Sequence, residues 1–251
     1  MNFGLQLYSV RDKLSEDFFG TLKKLGDIGY RAFEFAGYYD HSAEEIRKFL
    51  DSNGLRAVSA HVPIQLLEND PEKEFEFARK LGMEYVICPF LPKENWENAD
   101  YYRKVANLFN ELGEKAKKYG LKFGYHNHSF EFIVLKDGTT GFDILIENTD
   151  PELVFFEPDV YWIKYAGYEP SEFIENRLKN RIEIVHLKDM KGDETKEMTE
   201  LGTGIIDFKK IVATTLKLGA KWYIIEQDRS SLDSLESVKM SFNFFIKNFS
   251  K

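Results

Sequence analysis

Four short segments carry residue types that bind metals and move protons, and each one closes an apolar run. They are Tyr125-His126-Asn127-His128, Glu157-Pro158-Asp159-Val160-Tyr161-Trp162, Val185-His186-Leu187-Lys188-Asp189 and Ile225-Glu226-Gln227-Asp228-Arg229. Within them His126, Asp159, His186 and Glu226 are the candidate ligands, 33, 27 and 40 residues apart. A strand-helix unit of a (β/α)8 barrel takes about 30 residues, since eight of them need about 250. Such spacing puts all four at strand C-termini around one mouth, the place where barrel enzymes do chemistry. A mixed carboxylate and imidazole set suits one divalent metal such as Mn²⁺, Fe²⁺, Co²⁺ or Zn²⁺. Singly, each residue reads as a polar strand end facing solvent. Together they read as a metal site.

Other residues near these ends extend the chemistry. His128 lies two positions after His126, so both side chains leave one face of an extended segment; it is either a substrate contact or a satisfied loop residue. Glu131 is either a substrate contact or a solvated charge. Lys188 shares the face of His186 and can reach a substrate oxygen. Gln6, Glu34 and His61 sit at or near the first three strand ends. An unpaired inward carboxylate at Glu34 is costly to bury, so it is expected to hold a positive group or a substrate hydroxyl. His61 is a candidate substrate ligand or general acid/base, or else a polar strand end before Pro63. Arg229 is a candidate contact for a hydroxyl-rich or anionic substrate edge. Trp162, with Tyr161, Tyr165 and Tyr168, offers aromatic faces to sugar C–H groups. Gly202-Thr203-Gly204 reads first as a connecting turn, with anion binding through its N–H groups as the alternative. Cys88, in an apolar strand before Pro89, reads as a packed structural thiol.

The elements that must position these groups alternate from end to end. Strand-like runs at Phe3–Leu7, Arg31–Phe35, Leu55–Ala60, Tyr85–Cys88, Leu121–Tyr125, Leu153–Phe156, Ile182–Val185 and Trp222–Ile225 are separated by helical patterns. Ser42 with Glu45 predicts a capping box at the head of a helix reaching Ser52. The longest helix is expected from about Ala99 to Tyr119. Eight such units favour parallel pairing through right-handed crossovers. The rival open sheet needs a glycine-rich phosphate loop after the first strand, and Ser9-Val10-Arg11-Asp12 holds none. A (β/α)8 TIM barrel is therefore expected as one domain over residues 1–251.

Bulk properties narrow the partners. A formal charge of −8 with no basic block argues against nucleic acid. One cysteine allows no internal disulfide. No apolar run approaches the roughly 18 residues of a membrane span, and the first residues already read as strand. A cytoplasmic enzyme, away from membranes, is the expectation.

The pattern resembles the sugar phosphate isomerase/epimerase family, the xylose isomerase-like TIM barrels, over essentially the full chain. The resemblance rests on Gly4-Leu5-Gln6-Leu7-Tyr8-Ser9-Val10-Arg11-Asp12, Ile28-Gly29-Tyr30, Phe33-Glu34-Phe35-Ala36-Gly37 and Ser59-Ala60-His61. It rests equally on Tyr125-His126-Asn127-His128, Asp159-Val160-Tyr161-Trp162, His186-Leu187-Lys188-Asp189 and Glu226-Gln227-Asp228. It implies one divalent metal, Mn²⁺ first, with Zn²⁺, Co²⁺, Fe²⁺ or Mg²⁺ as alternatives. Asp159, His186 and Glu226 fall on the last three ligand positions of the family. His126 stands where many members carry Glu. The implied reaction is isomerisation or epimerisation of a sugar or keto-sugar through an enediolate, with Glu226 or His128 carrying the proton. Lys188 and His61 would then orient hydroxyls or stabilise developing charge. Because His126 removes one expected carboxylate, dehydration or keto-glycoside cleavage is the alternative outcome. A homo-oligomer is compatible, since members often form dimers or tetramers.

Overall fold

Eight strands alternate with helices in a computed structural model that describes residues 1–249; positions 250 and 251 of the expected domain lie outside the described residues. The strands are β1 (Asn2–Gln6), β2 (Ala32–Phe35), β3 (Arg56–His61), β4 (Tyr85–Cys88), β5 (Lys122–His126), β6 (Val154–Glu157), β7 (Ile184–Leu187) and β8 (Trp222–Ile225). All seven ladders are parallel, in the order β6-β5-β4-β3-β2-β1-β8-β7. The two ends meet through isolated parallel bridges, Phe156 with Ile182 and Asp159 with His186. The expected barrel forms, nearly closed. Its seam falls between two of the candidate ligands.

Strand alternation sorts the side chains into two cores. Ala32, Val58, Tyr85, Ile87, Phe155, Ile184, Trp222 and Ile224 form one buried cluster that fills the barrel. Their neighbours along the strands, among them Leu5, Phe33, Val86, Phe123, Phe156, Val185 and Tyr223, belong to the larger core. These point the other way, toward the helices, as a period of two requires. At β5 the interior has no room for a side chain: a Cβ on Gly124 would stand 2.5 Å from the Phe155 ring. Glycine there lets the ring fill the barrel.

Above this apolar filling the inward positions turn polar. Register pairs Gln6 with Glu34, Glu34 with Ser59 across a bulge, His126 with Glu157, and Asp159 with His186. One layer at the strand C-termini thus collects the chemistry.

The outer helices follow local signals. Ser42 and Glu45 make the expected capping box for Ala43–Ser52, and Thr140 with Asp143 makes a second for Gly141–Asn148. The long helix is Ala99–Lys118. Short helices at Arg11–Glu16, Ile64–Asn69 and Val160–Tyr165 lie in loops that carry no visible helical period. A two-stranded ribbon of Asp189–Met190 with Met198–Thr199 is equally unannounced. Six residues or fewer are too few for a 3.6-residue period to show.

Candidate metal centre and active site

Each proposed ligand is set by its strand end. Asp159 follows β6 and is also the N-cap of Val160–Tyr165: its Oδ1 accepts from the N–H groups of Tyr161 (2.9 Å) and Trp162 (3.1 Å). That leaves Oδ2 buried and without a hydrogen bond. His126 Nε2 lies 3.8 Å from this oxygen, and Lys188 Nζ 3.0 Å. His186 Nδ1 and Glu226 Oε2 meet at 2.8 Å. Donor atoms of His126, Asp159, His186 and Glu226 all lie within 4.8 Å of one another, and all four residues are buried.

A second set sits directly beneath. Glu157 Oε2 lies 2.8 Å from His61 Nε2, 3.1 Å from His126 Nδ1 and 3.2 Å from His186 Nε2. Glu34 Oε1 takes Gln6 Nε2 (2.8 Å), His186 Nε2 (2.7 Å) and His61 Nε2 (3.0 Å), while its Oε2 accepts from Ser59 Oγ (2.6 Å). Gln6 and Glu34 are both fully buried, and neither lines the cavity above. His61, His126, Glu157 and His186 also bring donor atoms within 4.8 Å of one another. His126 and His186 belong to both sets, with one nitrogen turned to each. In the upper set, a carboxylate behind each imidazole leaves the other nitrogen free toward Asp159 and Glu226. A metal-bound histidine usually has its other ring nitrogen held by a carboxylate in this way.

The electrostatics follow from burial and proximity. Burial opposes charge on His61, but Glu34 and Glu157 outweigh it and push the imidazole up to about 10. His186 is raised well above its ordinary range against the same burial, by Glu157 and Glu34. His126 goes the other way: burial, then the neighbouring His186 and His61, holds it well below. Lys188 is fully buried, yet Asp159, Asp228 and Glu226 keep its ammonium charged. Its Nζ is 2.8 Å from Glu226 and 3.0 Å from Asp228. Burial raises Glu226, but Lys188 and His186 prevail and hold it low.

The residues fit a divalent cation. Glu34, Glu157, Asp159 and Glu226 are buried acids, and Lys188 is the one buried lysine among the described residues. Buried carboxylates in such number need positive charge. Asp159 Oδ2 supplies a buried acceptor met by the Lys188 ammonium alone, and His126 supplies an imidazole that is already neutral, the form that ligates.

The remaining predicted residues divide by position. His61, His126, His128, Trp162, Glu226 and Arg229 line the cavity over the strand ends. His128 lies beside His126 (5.0 Å between rings) and Trp162 (5.2 Å). Its Nδ1 and the Trp162 Nε1 are buried without partners. Burial, then the Lys188 charge, drives the His128 imidazole down to about 3, so it suits hydrogen bonding better than proton abstraction. Arg229 is exposed at the rim. Tyr168 packs on Phe132 and Phe173 and is not part of the cavity wall.

One expectation is overturned, and two residues gain roles. Glu131 is neither a substrate contact nor a solvated charge: fully buried, it accepts from Tyr125 Oη (2.6 Å) and the His128 N–H (2.9 Å). The Gly202-Thr203-Gly204 turn already has its anion. Asp189 Oδ2 takes the N–H of Gly202 (2.9 Å) and Gly204 (3.0 Å), and Oδ1 that of Ile206 (3.1 Å). Glu157, which the sequence marks only as the start of a motif, anchors three histidines. A signal for it exists, because Glu157 and Asp159 are two apart and share a face. Asp228, which sequence reasoning assigns no role, lines the cavity beside Lys188. Cys88 is buried with its thiol pushed up to about 12 by that burial, as a packing residue should be. No helix among the described residues is long and apolar enough to cross a membrane.

Comparison with known proteins agrees with this geometry. A family model described as xylose isomerase-like TIM barrel matches residues 22–247. Inosose dehydratase of Clostridium beijerinckii is 26% identical over 227 residues, covering 76% of this chain and 75% of the relative. A crystal structure of a sugar phosphate isomerase/epimerase from Parabacteroides distasonis superposes with a TM-score of 0.85 at 30% identity. That match covers 99% of this chain and 94% of the other. The IolI protein with a bound zinc atom superposes over 100% of both chains with a TM-score of 0.77, at 16% identity. At that identity the likeness is one of fold.

Proposed function

Because the chain belongs to the xylose isomerase-like TIM-barrel family, we propose that it is a divalent-metal-dependent enzyme that enolises a sugar or keto-sugar. The observation that carries this reading is the buried quartet His126, Asp159, His186 and Glu226, drawn from the ends of β5 to β8 with donor atoms within 4.8 Å. These four would hold one ion, Mn²⁺ first; the zinc of the IolI neighbour supports a transition metal. Bound there, the ion supplies a Lewis acid that polarises a carbonyl and acidifies the adjoining C–H.

The chain's own groups do the rest. Glu226 and Asp228 both face the cavity; Lys188 and His186 hold Glu226 low, whereas burial raises Asp228 to about 7, which makes Asp228 the better proton acceptor of the two. Lys188 lies 2.8 Å from Glu226 and 3.0 Å from Asp228, so it orients both. His61, wedged between Glu34 and Glu157, presents a donor toward the substrate oxygens. His128 offers a hydrogen bond to a hydroxyl and Trp162 a stacking face, with Arg229 at the rim. Gln6 and Glu34 act from beneath by fixing His61 and His186. Returning the proton to the neighbouring carbon, or to the opposite face, gives isomerisation or epimerisation.

A second reading is a lyase or dehydratase, in which the same carbanion expels a β-substituent. His126, standing where a two-carboxylate epimerase would have an acid, favours it. So does the relative named inosose dehydratase. The test is a panel of sugars, inososes and keto-glycosides incubated with the Mn²⁺-loaded protein in D₂O and followed by NMR. Deuterium at the carbon next to the carbonyl supports enolisation. An altered sugar then marks the isomerase, and an unsaturated or ring-released product the lyase. Conversion to an altered sugar without deuterium at any carbon counts against the isomerase, and an unsaturated or ring-released product that keeps a deuterium placed beforehand on the substrate carbon next to the carbonyl counts against the lyase.

A further inference from the structure

The polar floor accounts for little of the space above it. The cavity over the strand ends measures about 1660 Å³. A drug-sized ligand occupies a pocket of about 300–1,000 Å³, so one sugar ring on the floor leaves most of the space unfilled.

One wall of the unfilled part is aromatic and begins at the metal quartet. The His126 ring is 5.0 Å from His128, and His128 lies parallel to Phe130 at 5.8 Å. Phe130 stacks on Trp96 at 4.3 Å and an interplanar angle of 3°. Phe90 stands edge-on to His128 (5.3 Å), Phe130 (5.1 Å) and Trp96 (5.8 Å). Rings therefore run without a break from a proposed ligand to the rim. Phe90 is nevertheless 43% exposed, a large apolar face left to the cavity.

The cations of the cavity complete the picture. Arg11 spends its guanidinium on the carbonyls of Tyr8 (2.8 Å) and Asp228 (3.1 Å). Lys191 is paired with Glu197 at 2.7 Å, and Lys188 is locked beneath by three carboxylates. Lys73, Arg229 and Lys196 are at the exposed rim. Near the floor a phosphate would meet His61, whose Nε2 Glu34 and Glu157 already occupy, and no free arginine fork.

We propose that Phe90, backed by the Trp96–Phe130 stack, is a subsite for a second ring. The substrate class is then a neutral glycoside, a keto-sugar carrying a sugar or aryl aglycone, and neither a free monosaccharide nor a sugar phosphate. The assignment rests on the reading that a sugar ring is bound at the floor. Flat aromatic faces take up the C–H face of a pyranose or the face of an aryl group.

The probes are methyl β-glucoside, phenyl β-glucoside, cellobiose and glucose 1-phosphate, titrated into the Mn²⁺-loaded full chain by calorimetry and saturation-transfer NMR. Phenyl β-glucoside and cellobiose are expected to bind roughly three- to tenfold more tightly than methyl β-glucoside, with saturation reaching the second ring. Phe90→Ala should erase that advantage, and Phe90→Trp should restore it. Because Phe90 is a surface ring, an unchanged melting temperature of the alanine variant serves as the folding control. Four results each overturn the proposal: equal affinities for the methyl and two-ring probes, an advantage that survives Phe90→Ala, absence of transfer to any second ring, or tightest binding of glucose 1-phosphate. Deuterium exchange is scored separately. Ring discrimination with neither exchange nor loss of the hydrogen next to the carbonyl retains the subsite and sinks enolisation; exchange on single-ring keto-sugars without ring discrimination does the reverse.

Discussion

His126 directs Nδ1 at Glu157 Oε2, 3.1 Å away, and that contact leaves Nε2 as the nitrogen that faces Asp159. His61 and His186 reach the same carboxylate oxygen. Glu157 therefore fixes the orientation of both histidines proposed as ligands, from behind. Loss of such a partner commonly costs about 10- to 100-fold in metal affinity. Glu157→Gln is expected to weaken Mn²⁺ or Co²⁺ binding by about that factor, and Glu157→Asp by less, because the charge remains. Chelator competition gives the affinities, and the visible spectrum of the Co²⁺ form reports whether the ligand geometry has shifted. Identical affinities and spectra in all three proteins would remove Glu157 from this role.

Asp159 has two separable jobs, one per oxygen. Its Oδ1 caps Val160–Tyr165, and its Oδ2 is free of hydrogen bonds. An alanine variant would lose both, and cap loss alone costs about 0.5–2 kcal/mol. Asp159→Asn keeps an acceptor for the cap and removes the charge. Wild-type protein is expected to gain about 2.7 kcal/mol of stability with metal at about 100 times its dissociation constant. Asp159→Asn should lose most of that gain while melting near the wild-type temperature without metal. A metal-induced shift of equal size in both proteins, read by thermal melting, places the ion elsewhere.

The part of this site legible in the sequence was the part set by strand spacing. Asp159, His186 and Glu226 each follow an apolar run, and barrel geometry turns regular spacing into convergence. The helices at Ala43–Ser52 and Ala99–Lys118 were legible because their caps and periods are local. What escaped depends on contacts distant in sequence. Glu34 meets His186 from 152 residues away, so its partner could not be named. Glu131 looks like a loop acid until Tyr125 and the His128 N–H are seen to enclose it. The Asp189 anchor of Gly202 and Gly204 is hidden likewise, since its acceptors and donors lie 13 and 15 residues apart.

Glu131 gives a pH prediction with a defined sign. Burial raises its carboxyl from 4.5 to about 7, against the hydrogen bonds from Tyr125 and the His128 N–H. The folded state thus prefers the protonated acid. Its contribution to stability is fully present below about pH 4.5 and is lost as pH rises through about 7. Glu131→Gln mimics the protonated form and can still accept from Tyr125 Oη. The variant should therefore gain on the wild type between about pH 5 and 8, by up to about 3 kcal/mol. Urea unfolding of both proteins across that range measures the difference. A gap that stays constant with pH would mean that Glu131 does not titrate there.

Gly124 and Phe155 make a packing prediction inside the barrel, below the polar layer. A Cβ at position 124 would approach the Phe155 ring to 2.5 Å, a contact that cannot persist. Phe155 is itself part of the interior cluster with Tyr85, at 5.4 Å edge to face, so the ring cannot swing away freely. Gly124→Ala should destabilise by about 1–3 kcal/mol, the usual cost of overpacking. Phe155→Leu alone loses buried aromatic surface and is also expected to destabilise. In the Phe155→Leu background, however, the added methyl has space, so Gly124→Ala should cost clearly less there. The four proteins form a double-mutant cycle read by urea unfolding. A coupling near zero would assign the cost of the alanine to strand β5 itself, and the Phe155 contact would not be its source.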